Sequence, residues 1–66
     1  MTEREHTIIA LNMRFDIMEK FEDDEVMHEF AYTKTVGMAD LAYLLDLITL
    51  EEWHDVVLER KRIGGK

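Results

Sequence analysis

Apolar residues cover most of the circumference of the first helix that the sequence predicts. The segment 8–21 reads IIALNMRFDIMEKF, and at about 100° per residue its apolar positions fall into two adjacent stripes. The first stripe is formed by Ile8, Leu11, Phe15 and Met18, and the second by Ala10, Met13, Ile17 and Phe21. A surface helix usually carries one apolar stripe, so two stripes predict burial from more than one side. Because a chain of 66 residues supplies few other helices, we expect a second copy or another protein to cover the second stripe.

This first helix is predicted over residues 3–20. Thr2 and Thr7 are the two candidate caps, and Thr2 is followed three residues later by Glu5, which is the pattern of a capping box. Beyond residue 20, either Asp23 or Asp24 caps a second helix, or one long helix runs over residues 3–34. Aspartate is a good cap and a poor mid-helix residue, so the break is favoured.

The second half of the chain predicts two further helices. Gly37 is expected to end the second helix, and a short helix then follows over residues 38–47. Thr49 and Glu52 form another capping box ahead of a last helix. Trp53 lies on the buried side of this helix with Leu50, Val56 and Val57, whereas its acids point elsewhere: Glu51, Glu52, Asp55 and Glu59. The predicted fold class is therefore all-α: a compact bundle of three to four short helices, completed by dimerisation. Residues 1–63 form the single helical domain, and residues 64–66 form a flexible C-terminal tail.

Charge and composition restrict the partners. The net charge is −7 with a pI near 4.7, so the chain is expected to repel phosphate backbones and not to bind nucleic acid directly. It has no cysteine, which excludes disulfides and fits a reducing compartment. No signal peptide and no apolar run of membrane-spanning length are found. We therefore expect no membrane association, a cytoplasmic location and, from the small size, a bacterial or bacteriophage origin.

Each of the three histidines follows a glutamate by three residues, a spacing that can place both side chains on one metal ion. The pairs are Glu3 and His6, Glu25 and His28, and Glu51 and His54. In the second predicted helix, Val26, Met27 and Phe30 mark the side that faces the core, so Glu25 and His28 lie on the far side. In the last helix, Glu51 lies well away from the buried side. Surface ion pairs therefore explain the three pairs better. With neither serine nor cysteine in the chain, we expect no enzymatic activity, no cofactor and no metal.

The segment 41–62, LAYLLDLITLEEWHDVVLERKR, locally resembles the short helical hairpins known as SHOCT domains. In both, Ile-Thr, a pair of glutamates and an aromatic residue open the second helix. This chain has Asp46-Leu47 where those hairpins usually carry a glycine in the turn. The resemblance rests on a common capping box and implies no function.

The function predicted from these patterns is that of a small acidic, non-enzymatic regulator that binds and occludes another protein through an apolar helical face. The predicted interface, which also pairs two copies as a homodimer, consists of Ala10, Met13, Arg14, Ile17 and Phe21. An acidic patch, expected to select a partner with a basic surface, consists of Glu19, Glu22, Asp23, Asp24 and Glu25. Two alternatives are a DNA-mimicking inhibitor of a nucleic-acid-handling protein and a structural adaptor subunit of a larger assembly.

Overall fold

Three helices make up the secondary structure of the part of the chain that the structure describes. A computed structural model describes residues 1–63, in which α1 spans Glu3–Lys20, α2 spans Glu25–Leu44 and α3 spans Leu50–Val57. No strand occurs in this range, so the all-helical prediction is confirmed. The predicted tail, residues 64–66, lies outside the described residues. Within residues 1–63, no helix combines the length and the apolar character needed to cross a bilayer.

Side-chain caps fix where each helix begins. The hydroxyls of Thr2 and Thr49 accept hydrogen bonds from the backbone N–H groups of Glu5 and Glu52, and both predicted capping boxes are present. Asp24 caps α2 by accepting from the backbone N–H of Met27 at 3.1 Å. The predicted break ahead of α2 is therefore confirmed, and a continuous helix over 3–34 is wrong.

Gly37 does not end a helix. Helix α2 continues through it to Leu44, so the expected stop and the separate helix over 38–47 are both wrong. A glycine inside a helix costs only about 1 kcal/mol relative to alanine. The burial of Ala39 and Ala42 beyond it gives the chain a reason to continue as helix.

Helices α2 and α3 both end in a Schellman motif with a residue other than glycine in the left-handed position. After α2, Asp46 has φ 60°, and the N–H of Leu47 donates to the carbonyl of Ala42 at 2.9 Å. After α3, Glu59 has φ 50°, and the N–H of Arg60 donates to the carbonyl of Asp55 at 2.9 Å. These 6→1 bonds satisfy carbonyls that a helix end leaves free. Because neither left-handed residue is a glycine, the usual glycine signal in a sequence does not identify the end of α2 or of α3.

The core lies between α1 and α2 and is closed by the residues around α3. Leu11, Phe15 and Met18 of α1 are buried, as the first stripe predicts. The fully buried side chains of α2 are all small, and its half-buried Tyr32 packs against the core. The later part of the chain adds three buried apolar side chains. The remaining buried members are Ala31, Thr35, Ala39, Ala42, Ile48, Val56 and Ile63.

The residues after α3 fold back onto α1. The side-chain amide of Asn12 and the backbone of Ile63 exchange two hydrogen bonds, each of 3.0 Å. Arg62 donates to the carbonyl of Asn12 at 2.7 Å and pairs with the carboxylates of Asp16 and Glu19. This C-terminal return buries Ile63 beside α1 and closes one side of the core.

Candidate protein-interaction surface

Large apolar side chains on α2 point away from the core. They form what we call the outer face of α2: Val26, Met27, Phe30, Met38, Leu41, Leu44 and Leu45. At 100° per residue these positions fall within one third of the helix circumference. The expectation that Val26, Met27 and Phe30 belong to the core is therefore wrong.

The outer face is large for so small a protein. Its seven side chains are between 37% and 77% exposed. At roughly 120 Å² of apolar surface for a fully exposed side chain of this kind, the area equivalent of about 3 kcal/mol of burial, these fractions correspond to about 500 Å². The largest apolar patch on a typical monomer is about 300–600 Å² and is often functional. A patch of this order on a chain of only 66 residues marks a candidate interaction site.

The opposite side of the same helix explains why the large residues lie outside. Its inner face consists of Ala31, Thr35, Ala39 and Ala42, all of them buried. Small side chains let α2 approach α1 closely, and the large α1 residues Leu11, Phe15 and Met18 fill the space between them. The Thr35 hydroxyl donates to the carbonyl of Ala31 at 2.7 Å, so its burial leaves no unsatisfied polar group.

An open apolar groove connects the outer face to α1. It has a volume of about 280 Å³. Met38, Leu41 and Leu45 of the outer face line one side, and Ala10 of α1 lines the other. The groove therefore extends the apolar surface of α2 onto the second stripe of α1.

The residues of the predicted interface differ in accessibility. Met13 is 58% exposed, whereas Ala10, Ile17 and Phe21 are each half-buried. Arg14 is also half-buried, and its Nε lies 3.5 Å from the Thr35 hydroxyl. The second stripe of α1 thus borders the apolar surface, and the most open part of that surface belongs to α2.

The predicted acidic patch is accessible, but two of its carboxylates already have structural partners. Glu19, Glu22, Asp23, Asp24 and Glu25 are all exposed. Asp24 caps α2, and Glu19 Oε1 lies 3.1 Å from Arg62. These two carboxylates are explained by local structure.

A second concave site, which we call the aromatic pocket, lies between the end of α2 and α3. It is lined by Asp40, Tyr43, Leu44, Leu50 and Trp53 and has a volume of about 350 Å³. The ring centroids of Tyr43 and Trp53 are 6.2 Å apart. The indole N–H of Trp53 donates to Asp40 Oδ1 at 2.6 Å. Trp53 was expected mainly as a core anchor; it packs against the core and also forms one wall of this pocket.

An ion pair ties the beginning of α1 to the beginning of α3. The Arg4 guanidinium donates to both carboxylate oxygens of Glu52, at 2.9 and 2.8 Å, and to the carbonyl of Leu47 at 2.9 Å. The hydrogen bond from Arg4, ahead of the backbone hydrogen bond from Thr49, lowers the pKa of Glu52 below its usual value. This pair orients α3, and with it the aromatic pocket.

The histidines and carboxylates of residues 1–63 include no group of three or more that could hold a metal ion. His28 Nε2 lies 3.4 Å from Glu59 Oε1 in the C-terminal return, a contact that the Glu-x-x-His spacing does not predict. Asp55 was expected to point away from the core but is buried. Its carboxylate accepts from Arg60 Nε at 3.1 Å, which supplies the counter-charge that a buried acid needs.

Two parts of the site escaped sequence reasoning. The outer face was read as core because it carries the large apolar residues, although its i, i+3 and i+4 spacing was visible. The aromatic pocket joins residues that lie 13 positions apart, Asp40 and Trp53, and no local pattern shows that pairing. The sequence matches no known protein-family model, and neither a curated protein nor a solved structure is significantly similar to it.

Proposed function

We propose that this chain is a small, non-enzymatic regulator that assembles as a homodimer and occludes the surface of another protein. The observation that carries this proposal is the outer face of α2. About 500 Å² of apolar side chain faces water there, at the approximate scale used above. The acidic surface around it, with a net charge of −7, favours a partner that presents basic residues.

A second copy of the chain suits the outer face in size. A stable protein–protein interface of standard size buries about 800 Å² on each partner, polar surface included, and the outer face with its groove forms the apolar centre of such a contact. Two-fold pairing is the commonest symmetry of small homo-oligomers. The same face on both copies is then buried against itself, and Ala10 at the far side of the groove contacts the second copy as well.

Charge favours an antiparallel arrangement of the two α2 helices. The N-terminal end of α2 carries Asp23, Asp24 and Glu25 in sequence. A parallel pairing brings these acidic ends together, whereas an antiparallel pairing places each beside the C-terminal end of the other helix. Like charges at close range are unfavourable, so the antiparallel dimer is the one we propose.

The extent of the face sets the register of this pairing. An antiparallel dimer that buries the face from Val26 to Leu45 has its two-fold axis between Lys34 and Gly37. Phe30 then lies across from Leu41 of the second copy. Gly37 has nothing within 4 Å of where a Cβ would be, so it leaves space for the stem of Lys34 from the second copy.

Sedimentation equilibrium tests the dimer. The wild-type chain is expected to dimerise at micromolar concentration and to show a melting temperature that rises with concentration. Leu41→Gln should shift it to monomer with its helix content unchanged. Glu29→Gln, on an exposed part of α2 outside the face, is the matched control and should remain dimeric. A wild-type chain that stays monomeric at about 100 µM, well above a micromolar Kd, contradicts the dimer.

Chemical cross-linking tests the register, and the absence of cysteine in the chain makes it site-specific. Phe30→Cys and Leu41→Cys variants are mixed and treated with a short bis-maleimide. The antiparallel register predicts that the mixed Phe30–Leu41 product dominates. Dominant homo-crosslinks of each variant with itself would show a parallel pairing and overturn the proposed arrangement.

A further inference from the structure

We propose that the aromatic pocket is a binding site for a basic side chain, lysine or arginine, of the protein partner. This inference rests on the proposed function, because it names the group through which the regulator recognises that partner. The pocket combines three features that such a side chain requires: aromatic rings, a fixed carboxylate and apolar walls.

The aromatic rings supply an electrostatic attraction for a cation. Tyr43 and Trp53 are tilted by 38° with their centroids 6.2 Å apart, and both border the same cavity. A cation within about 6 Å of such a ring is attracted by its quadrupole, most strongly by tryptophan. The cavity of about 350 Å³ is large enough to admit the end of an arginine or lysine side chain.

The carboxylate of Asp40 supplies the counter-charge. Its Oδ1 accepts the hydrogen bond from Trp53 Nε1, which fixes the carboxylate against the indole ring. Within residues 1–63, no lysine or arginine forms an ion pair with Asp40, although other acids of this chain have such partners. The second carboxylate oxygen is therefore not paired with a basic side chain of residues 1–63.

The apolar walls select an alkyl chain rather than a bare ion. Leu50 and Leu44 line the pocket beside the rings and are 50% and 76% exposed in the monomer. Leu44 also belongs to the outer face, so in the dimer Leu50 is the apolar wall that stays outside the contact. The two leucines match the methylene stem of lysine or arginine, which packs on apolar surface while its charged end is held elsewhere. An anionic group would be repelled by Asp40 and by the net charge of the chain.

The experiment uses the full chain and two short peptides. The first is N-acetyl-Gly-Arg-Gly-amide, and the second carries citrulline, the neutral isostere of arginine, in its place. Trp53 is the only tryptophan, so its fluorescence and its indole N–H resonance report on this pocket alone. Over a titration to about 10 mM, the arginine peptide should shift the Trp53 signals saturably and bind at least about fivefold more tightly than the citrulline peptide.

Two variants test the roles of the individual groups. Asp40→Asn keeps an oxygen that can accept from the indole N–H but removes the charge, and it should weaken arginine-peptide binding about tenfold. Tyr43→Leu keeps an apolar wall but removes the ring, and it should weaken binding about threefold. Circular dichroism confirms that each variant is folded. Equal binding of the two peptides, or an unchanged affinity in Asp40→Asn, would overturn the proposal.

The same titration in Leu41→Gln separates this inference from the proposed dimer. Leu41 lines the groove and not the aromatic pocket, so peptide binding should survive in this variant. If the wild-type chain dimerises but no peptide binds, the pocket assignment alone fails. If the peptide binds to a chain that never dimerises, the dimer alone fails.

Discussion

In an ordinary surface helix the large apolar side chains face the core, whereas in α2 they form the outer face and small side chains form the inner face. Alanines and one threonine face the core, whereas phenylalanine, leucines, a valine and methionines face water. The side chains of the inner face are small because those of Leu11, Phe15 and Met18 of α1 already fill the space between the two helices. Residue size complementarity, rather than hydrophobicity alone, therefore decides which side of α2 is buried.

The difference also separates folding from association. The inner face contributes by close packing with α1, where interiors reach the density of organic crystals. The exposed part of the outer face has no counterpart within residues 1–63, so it contributes little to the stability of the monomer. Substitutions on the two faces should consequently affect different measurements.

The largest expected effect comes from comparing the same substitution, leucine to alanine, at a buried and at an exposed position. Leu11 is completely buried and Leu41 is 59% exposed. Leu11→Ala should lower the free energy of unfolding by about 3 kcal/mol, because it leaves a cavity as well as removing buried surface. In a domain of this size, a loss of that order can unfold most of the protein at 37 °C.

Leu41→Ala is the matched control, and urea denaturation at a concentration where the chain is monomeric measures both variants. Its free energy of unfolding should stay within about 0.5 kcal/mol of the wild type. A loss at Leu41 as large as that at Leu11 would mean that the outer face is covered within the monomer, and the contrast between the two faces would disappear.

The next largest effect tests whether the side chains of the inner face must be small. Ala39 is completely buried where α2 packs beside α1. Ala39→Leu adds volume to a filled space and should lower the free energy of unfolding by about 1–3 kcal/mol. Thermal unfolding followed by circular dichroism measures the change. A neutral result would show a gap between α1 and α2 and contradict the size argument.

The helix starts could be predicted from the sequence because their signals are local. Thr2, Asp24 and Thr49 each satisfy a backbone N–H group within three residues. The helix ends could not, since Asp46 and Glu59 adopt the left-handed conformation in which glycine is expected. The inner face escaped prediction for a third reason: Ala31 and Ala39 are buried only because large residues of α1 pack against them.

The sequence predicted that an apolar helix surface is exposed, but not which helix carries most of it. A surplus of apolar helix surface was foreseen on α1, from the second stripe that includes Met13 and Phe21. The structure places the larger surplus on α2, because the side chains that were assigned to its core, such as Phe30, are exposed. Long-range contacts such as that of Asp40 with Trp53 depend on how the helices pack, and periodicity carries no information about them.

A smaller effect, of opposite sign, is expected at Gly37. This glycine is exposed on α2, and an added Cβ would meet nothing within 4 Å. Gly37→Ala should therefore raise the free energy of unfolding of the monomer by about 0.5–1 kcal/mol, because alanine loses less backbone entropy in a helix. Urea denaturation at low protein concentration measures it. A destabilised variant would show that the outer side of α2 is already occupied at this point.

The smallest effect concerns the ion pair that holds α3 next to α1 and so completes the cover of the inner face. The hydrogen bond from Arg4 lowers the pKa of Glu52, so the ionised carboxylate is favoured in the folded state. Its stabilising contribution is present above the pKa of about 4.5 that an unperturbed glutamate has. The contribution is lost as the pH falls from there through the lower pKa of the folded state.

Glu52→Gln removes the charge but keeps an oxygen that can accept from Thr49 and Arg4. At pH 7 its melting temperature should fall by no more than a few degrees, since accessible ion pairs contribute little. The difference from the wild type should shrink as the pH is lowered below about 4.5, where the wild-type carboxylate is also protonated. Glu51→Gln is the control, because it removes a carboxylate from the same exposed first turn of α3 without breaking an ion pair. Its smaller fall in melting temperature measures the contribution of the helix dipole alone. A Glu52→Gln difference that persists undiminished in acid would mean that α3 is held by packing alone, and that the cover of the inner face does not depend on the Arg4–Glu52 pair.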